Sequence, residues 1–148
     1  MHETNMAGPI VILMVDDDPA DIRLIKEALK TKERRMDMHT VSNGIDAMAF
    51  LRREGTYAEM PRPDIILLDL NIPRMNGFET LQAIKNDSSF KRIPVITLST
   101  STVREDLLRA YDLHANCYIA KPVEWRKFVD VIESIEKFWL TIVKLPKG

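Results

Sequence analysis

Short, unbroken apolar runs alternate along the chain with stretches whose apolar positions recur every three or four residues. Ile10 to Val15 is one such run, and Ile65-Ile66-Leu67-Leu68, bounded by Pro63 and Pro73, is another. Runs this short and rich in β-branched residues and leucine predict strands buried on both faces, as in a parallel sheet. Pro94 to Leu98 predicts a further strand, and Met38 to Val41 and Cys117 to Ala120 predict two shorter ones. Between the first two, Asp18-Pro19 suits a helix N-cap and first turn, and Ile22, Ile25 and Leu29 carry that helix to about Thr31. The turn Ser42-Asn43-Gly44 leads into a helix with Ile45, Met48, Ala49 and Leu51 that ends by Gly55, and Gly55 to Pro63 predicts a loop. Phe78, Leu81 and Ile84 mark a helix over Gly77 to Asn86, and two more helices are predicted over Val103 to Leu113 and Glu124 to about Val143.

Strands and helices therefore alternate five times. This predicts an α/β fold with a single doubly wound five-stranded parallel sheet, in which right-handed crossovers place five helices on its two faces. The expected organisation is a polar tail over residues 1–9, one domain over 10–143 and a short C-terminal tail over 144–148, with no second or output domain.

Composition narrows the function classes. A chain of 148 residues is long enough to bury a full core as one domain. Its 21 basic and 22 acidic residues leave a net charge of −1, which speaks against a nucleic-acid partner or a polybasic membrane anchor. No apolar run reaches the length of a membrane span, and the first nine residues lack the hydrophobic stretch of a signal peptide. A single cysteine, Cys117, excludes an internal disulfide and fits a cytoplasmic protein.

The candidate chemistry lies at the strand ends. Asp69 follows the Ile65–Leu68 run, and Asp16-Asp17-Asp18 follow the first strand. A carboxylate at the end of a buried strand is costly unless its charge is compensated. Two such ends point to one shared acidic pocket at the carboxyl edge of the sheet, where open α/β proteins bind ligands. Asp16, Asp17 and Asp69 offer hard oxygen ligands suited to Mg²⁺. Ser99 and Thr100 end the fourth strand with hydroxyls, and Lys121-Pro122 follows the fifth with a cation. A metal, a lysine and a hydroxyl around a carboxylate are the parts that phosphoryl transfer to that carboxylate requires. Asp69, standing alone after its strand, suits the nucleophile, and the adjacent Asp16 and Asp17 suit metal binding. Singly each feature is a common turn, cap or loop residue; their joint occurrence at successive strand ends is what carries weight.

The set Asp16-Asp17, Leu68-Asp69-Leu70, Met75-Asn76-Gly77, Ser99 and Tyr118-Ile119-Ala120-Lys121-Pro122 resembles the receiver domain of two-component response regulators, over about residues 10 to 140. The resemblance implies strand order 2-1-3-4-5 and a phosphoryl group accepted on Asp69 from a histidine kinase. It implies direct Mg²⁺ ligation by Asp17, Asp69 and the backbone carbonyl of Asn71, with Asp16 acting largely through water. Lys121 would pair with the phosphoryl group and Ser99 would swing toward it. Tyr118 would follow from an exposed to a buried rotamer, and the Lys121–Pro122 bond would be cis. A narrower likeness rests on Arg53-Glu54-Gly55-Thr56-Tyr57, Pro61-Arg62-Pro63, Leu113 to Tyr118 and Phe138-Trp139-Leu140-Thr141. It resembles the small receiver-only regulators paired with phytochrome-type sensor kinases.

In the last helix Phe128, Ile132, Ile135, Trp139 and Ile142 form one stripe at about 100° per residue. Val129 and Leu140 lie to one side of it, and Val131 and Phe138 to the other. That apolar arc is wider than one core face needs, and it predicts a homodimer through this helix. Cys117 is expected to pack in the core, and His114 to cap or face solvent. Two other functions compete with the phosphorylated switch. An aspartate-based phosphohydrolase usually carries a second Asp two residues after its nucleophile, where this chain has Asn71; a receiver-like module that only binds would not need the full set of Asp16, Asp17, Asp69, Ser99 and Lys121. Asn71 and Ser101, small and uncharged, would flank the path of an attacking water and permit self-dephosphorylation.

Overall fold

The computed structural model describes residues 9–30, 36–100 and 104–121, together with Asp130 and Ser134. In chain order the elements are β1 (Ile10–Val15), α1 (Pro19–Leu29), β2 (Met36–Val41), α2 (Gly44–Arg52), β3 (Ile65–Asp69), α3 (Gly77–Asn86), β4 (Val95–Ser99), α4 (Arg104–Asp112) and β5 (Cys117–Ala120). All pairings are parallel and the order is β2-β1-β3-β4-β5. The chain moves outward from β1 to β2, crosses back to β3 on the other side of β1, and continues to β4 and β5. That reversal opens a crevice between the carboxyl ends of β1 and β3. Register brings the ends level: Val15 pairs with Leu68, Asp69 with Leu98, and Ser99 with Ala120.

Burial on both faces explains the unbroken apolar runs. In β1, Ile10, Ile12 and Met14 join Ile25 and Leu29 of α1 on one side of the sheet, with Ile65, Leu67, Ile96 and Leu98. Leu13 and Val15 point to the other side, with Ile66, Leu68 and the inner faces of α2 and α3. A period of two sends successive residues to opposite cores, so every position must be apolar.

Local chemistry fixes the helix ends. The Asp18 carboxylate accepts from Ala20 N at 2.9 Å and caps α1. Asn43 accepts from Asp46 N at 2.9 Å and caps α2. Asn76 and Glu79 form a reciprocal capping box at α3. Beyond α4, His114 adopts φ 69°, donating to Tyr111 O, while Ala115 N donates to Ala110 O. This closes the helix with a non-glycine residue in the left-handed region and gives His114 the capping place expected of it.

Several boundaries differ from the sequence reading. β2 starts at Met36, two residues early, because β1 supplies a partner as far back as Ile10. The loop after α2 holds a 3-10 turn over Gly55–Tyr57, with the Tyr57 ring packed at a tilt against Phe50 at 5.6 Å between centroids. Four of the five expected helices lie among the described residues. The fifth, with Val129, Val131, Phe138 and Leu140 of the expected dimer face, lies outside them except for Asp130 and Ser134, both helical and exposed. The Lys121–Pro122 bond and Ser101 also fall outside the described residues.

Candidate functional site

Three carboxylates and one ammonium converge at the carboxyl edge of the sheet. Asp16 and Asp69 are buried, at 1% and 3% exposure, whereas Asp17 faces solvent. One carboxylate oxygen from each of the three lies within 4.8 Å of the others. Lys121 enters from the end of β5, positioned by its own N–H donating to Ser99 O at 2.7 Å. Its Nζ donates to Asp69 Oδ2 at 2.9 Å and Asp16 Oδ2 at 3.1 Å. The remaining oxygens are held by backbone: Asp18 N donates to Asp16 Oδ1 at 2.9 Å, and Asn71 N donates to Asp69 Oδ1 at 2.8 Å.

These contacts set the charge state. Burial pushes the Asp16 carboxyl up to about 6, with the neighbouring Asp69 charge adding to it and the bonds from Asp18 N and Lys121 opposing it. Burial alone would drive the Lys121 ammonium toward neutrality, but its bonds to Asp21, Asp69 and Asp16 outweigh that and hold its pKa above the usual lysine range. Lys121 is thus a fixed cation, while Asp16 holds its proton to higher pH than an ordinary carboxyl.

Asp21 was not singled out from sequence. It stands in the first turn of α1, where an acidic residue is ordinary helix-end chemistry. Only folding brings it to Lys121 Nζ, at 2.5 Å. Asn71 also does more than its backbone predicts. Its Oδ1 accepts from Ser99 Oγ at 3.2 Å, Thr100 N at 3.2 Å and Thr100 Oγ1 at 3.3 Å. The side chain two residues after Asp69 therefore ties the hydroxyl end of β4 to the loop after β3. Tyr118, opposite Thr97 in the sheet, is half-buried against the core that α2 and α3 cover.

Glycine makes the loop after β3 possible. A Cβ on Gly77 would lie 2.2 Å from Leu70 Cα and 2.7 Å from Asp69 O, and one on Gly44 would meet Thr80 Oγ1 at 2.0 Å. Both close approaches fold the 70–76 segment back beside the acidic cluster. Cys117 is half-buried and burial raises its thiol pKa, which leaves it a packing residue.

An all-oxygen set of three carboxylates, one exposed and two buried, fits a hard divalent cation that retains water. A doubly wound sheet with that acidic cluster, a lysine among the carboxylates and a strand-end hydroxyl is the arrangement of a class of phosphorylatable signalling domains. The chain belongs to the response regulator receiver domain family, whose sequence model matches residues 12–133. The response regulator Rcp1 of Synechocystis sp. is 44% identical over 138 residues, covering 93% of this chain and 94% of that protein. The crystal structure of the phosphorylated cyanobacterial phytochrome response regulator RcpA aligns with a TM-score of 0.82 at 47% identity, covering 95% of this chain and 100% of that one. The Mn²⁺-bound form of Rcp1 aligns with a TM-score of 0.80 at 44% identity, covering 93% and 99%. Fold class, strand order and family agree with the sequence reading. Among the described residues no helix is long and apolar enough to cross a membrane.

Proposed function

We propose that Asp69 is the phosphoacceptor of this receiver and that its donor is the phosphohistidine of a phytochrome-type sensor histidine kinase. A carboxylate oxygen of Asp69 attacks phosphorus, forming an O–P bond as the N–P bond of the phosphohistidine breaks. The imidazole leaves with the electron pair and takes up a proton. The observation that carries this reading is the convergence of Asp16, Asp17, Asp69 and Lys121 at one sheet edge. Two similar proteins, a phosphorylated phytochrome response regulator and a Mn²⁺-bound one, support it.

Asp17, Asp69 and the Asn71 backbone carbonyl would hold Mg²⁺ directly, and Asp16 largely through water. When bound, the ion supplies charge neutralisation for the equatorial phosphoryl oxygens. Lys121 pairs with the phosphoryl group. Ser99 leaves Asn71 to reach it, and Tyr118 follows toward full burial. Asn71 and Ser101, small and uncharged, leave a path for water, so the acyl phosphate hydrolyses without a second enzyme.

The kinase approaches over the exposed Asp17, beside a groove of about 570 Å³ whose lining includes Asp17, Ile22, Arg23 and Lys26. The protein works in the cytoplasm as a homodimer formed through the last helix, by way of Val129, Val131, Phe138 and Leu140. Sedimentation of the full chain and of a Phe138→Glu/Leu140→Glu variant tests the dimer, which the double substitution should split.

Incubation with Mg²⁺ and acetyl phosphate, followed by intact-mass measurement, tests the central claim. One added phosphoryl group is expected in the wild type, and none in Asp69→Asn or in chelator. An adduct that persists in Asp69→Asn would place the acceptor elsewhere. Steady phosphate release from many donors without an adduct would favour a phosphohydrolase.

A further inference from the structure

An ammonium has three N–H bonds, and Lys121 gives all three to carboxylates: Asp21 at 2.5 Å, Asp69 at 2.9 Å and Asp16 at 3.1 Å. Two of these partners belong to the acidic cluster. The third does not: Asp21 lies on α1, outside the trio whose oxygens close around a metal-sized space. It makes the shortest of the three contacts, and its side chain is 20% exposed against 8% for the lysine.

The two cluster partners do not stay free for the lysine through a phosphorylation cycle. A carboxylate shared with a divalent cation is a weaker acceptor, and the cation repels the ammonium. Acyl phosphate formation then removes the Asp69 carboxylate altogether. Until the phosphoryl group arrives to take the lysine, a long side chain loosened from those two partners regains rotamer freedom. Asp21 is the one partner of the three that lies outside the metal cluster and carries no phosphoryl group.

We propose that Asp21 is a positioning residue that anchors Lys121 beside Asp69 when metal and phosphoryl group draw the other two carboxylates away. Its consequence for phosphorylation rests on the reading of Asp69 as phosphoacceptor. The geometry makes Asp21 a tether rather than a competitor, because Nζ reaches Asp21 and Asp69 at the same time.

Asp21→Asn preserves shape and an acceptor oxygen but removes the charge that roughly doubles such a bond. Asp21→Glu keeps the charge. The first readout needs neither metal nor phosphoryl donor. The full chain in chelator is labelled with limiting acetic anhydride and each lysine is quantified by peptide mass mapping. Lys121 should label slowly in the wild type, about tenfold faster in Asp21→Asn and close to wild type in Asp21→Glu. The second readout is the rate of adduct formation with Mg²⁺ and acetyl phosphate, expected about tenfold slower in Asp21→Asn. In a Lys121→Met background the same substitution should change nothing further.

Unchanged Lys121 labelling, or an equal loss of rate in the Lys121→Met background, would assign Asp21 to the helix terminus and overturn the proposal. A faster adduct in Asp21→Asn would make it a competitor and overturn it as well. If labelling behaves as expected while the wild type forms no adduct, the tether stands and the phosphoacceptor reading fails.

Discussion

At the scale of single residues, Asp16 shows how burial and charge trade against each other in this site. Its carboxyl is raised to about 6, first by burial, against an ordinary value of 3.8. Between about pH 4 and pH 6 the folded chain holds a proton that the unfolded chain has released. Stability in chelator therefore falls as pH rises through that window, because the native state binds more protons there. Relative to the wild type, Asp16→Asn should gain up to about 3 kcal/mol between pH 4 and pH 7 in metal-free urea titrations. Divalent cations compete with the same proton, so calorimetric affinity should climb with pH to about 6 and then level off. A flat affinity across that range would remove Asp16 from the metal site.

The elements that carry these residues hold them by backbone and loop chemistry. Gly77→Ala would force a Cβ to within 2.2 Å of Leu70 Cα, so the loop after β3 must shift. The expected cost is about 1–3 kcal/mol, read from the urea midpoint, with slower adduct formation on Asp69. At the opposite edge of the sheet Asn116 Oδ1 accepts from Val95 N at 2.8 Å and from Lys85 Nζ at 3.3 Å. Lys85 Nζ also donates to Ile93 O at 2.8 Å and Lys91 O at 3.1 Å. Asn116→Ala orphans the N–H of buried Val95 and should cost about 1–3 kcal/mol in the same titration without slowing adduct formation. The pair of variants separates an element that shapes the site from one that only supports the sheet.

For the whole molecule, the acidic edge links folding to ligand. Repulsion among Asp16, Asp17 and Asp69 opposes the native state, and a divalent cation bound there relieves it. At a hundredfold excess over its dissociation constant, Mg²⁺ should stabilise the chain by about 2.7 kcal/mol, seen as a higher Tm. Asp17→Asn should abolish most of that gain and, by removing one of the three repelling charges, raise the Tm in chelator slightly. Equal stabilisation of both chains by Mg²⁺ would place the ion elsewhere. The core itself is two-sided, so Leu67→Ala, on the α1 side, and Leu68→Ala, on the α2–α3 side, should each cost about 2–5 kcal/mol.

Sequence by itself determined the alternation of elements and the doubly wound class, and it pointed to Asp16, Asp17, Asp69 and Lys121, which meet at one edge of the sheet. Unbroken runs such as Ile65–Leu68 are what two-sided burial demands, and a carboxylate such as Asp69 at their end advertises a compensating partner. Boundaries were less legible: β2 begins at Met36 because a neighbouring strand is there to pair with it, a long-range cause that local propensity does not carry. Tertiary structure alone decided the places of Asp21 and Asn71. In the chain, Asp21 is an acidic residue in a helix's first turn, 100 positions from Lys121, and Asn71 is a polar loop residue 28 positions from Ser99. Each acquires its partner only when parallel strands bring their carboxyl ends level. Hydrophobic periodicity is written residue by residue, whereas a hydrogen bond between distant side chains exists only once the sheet has fixed the distance between them.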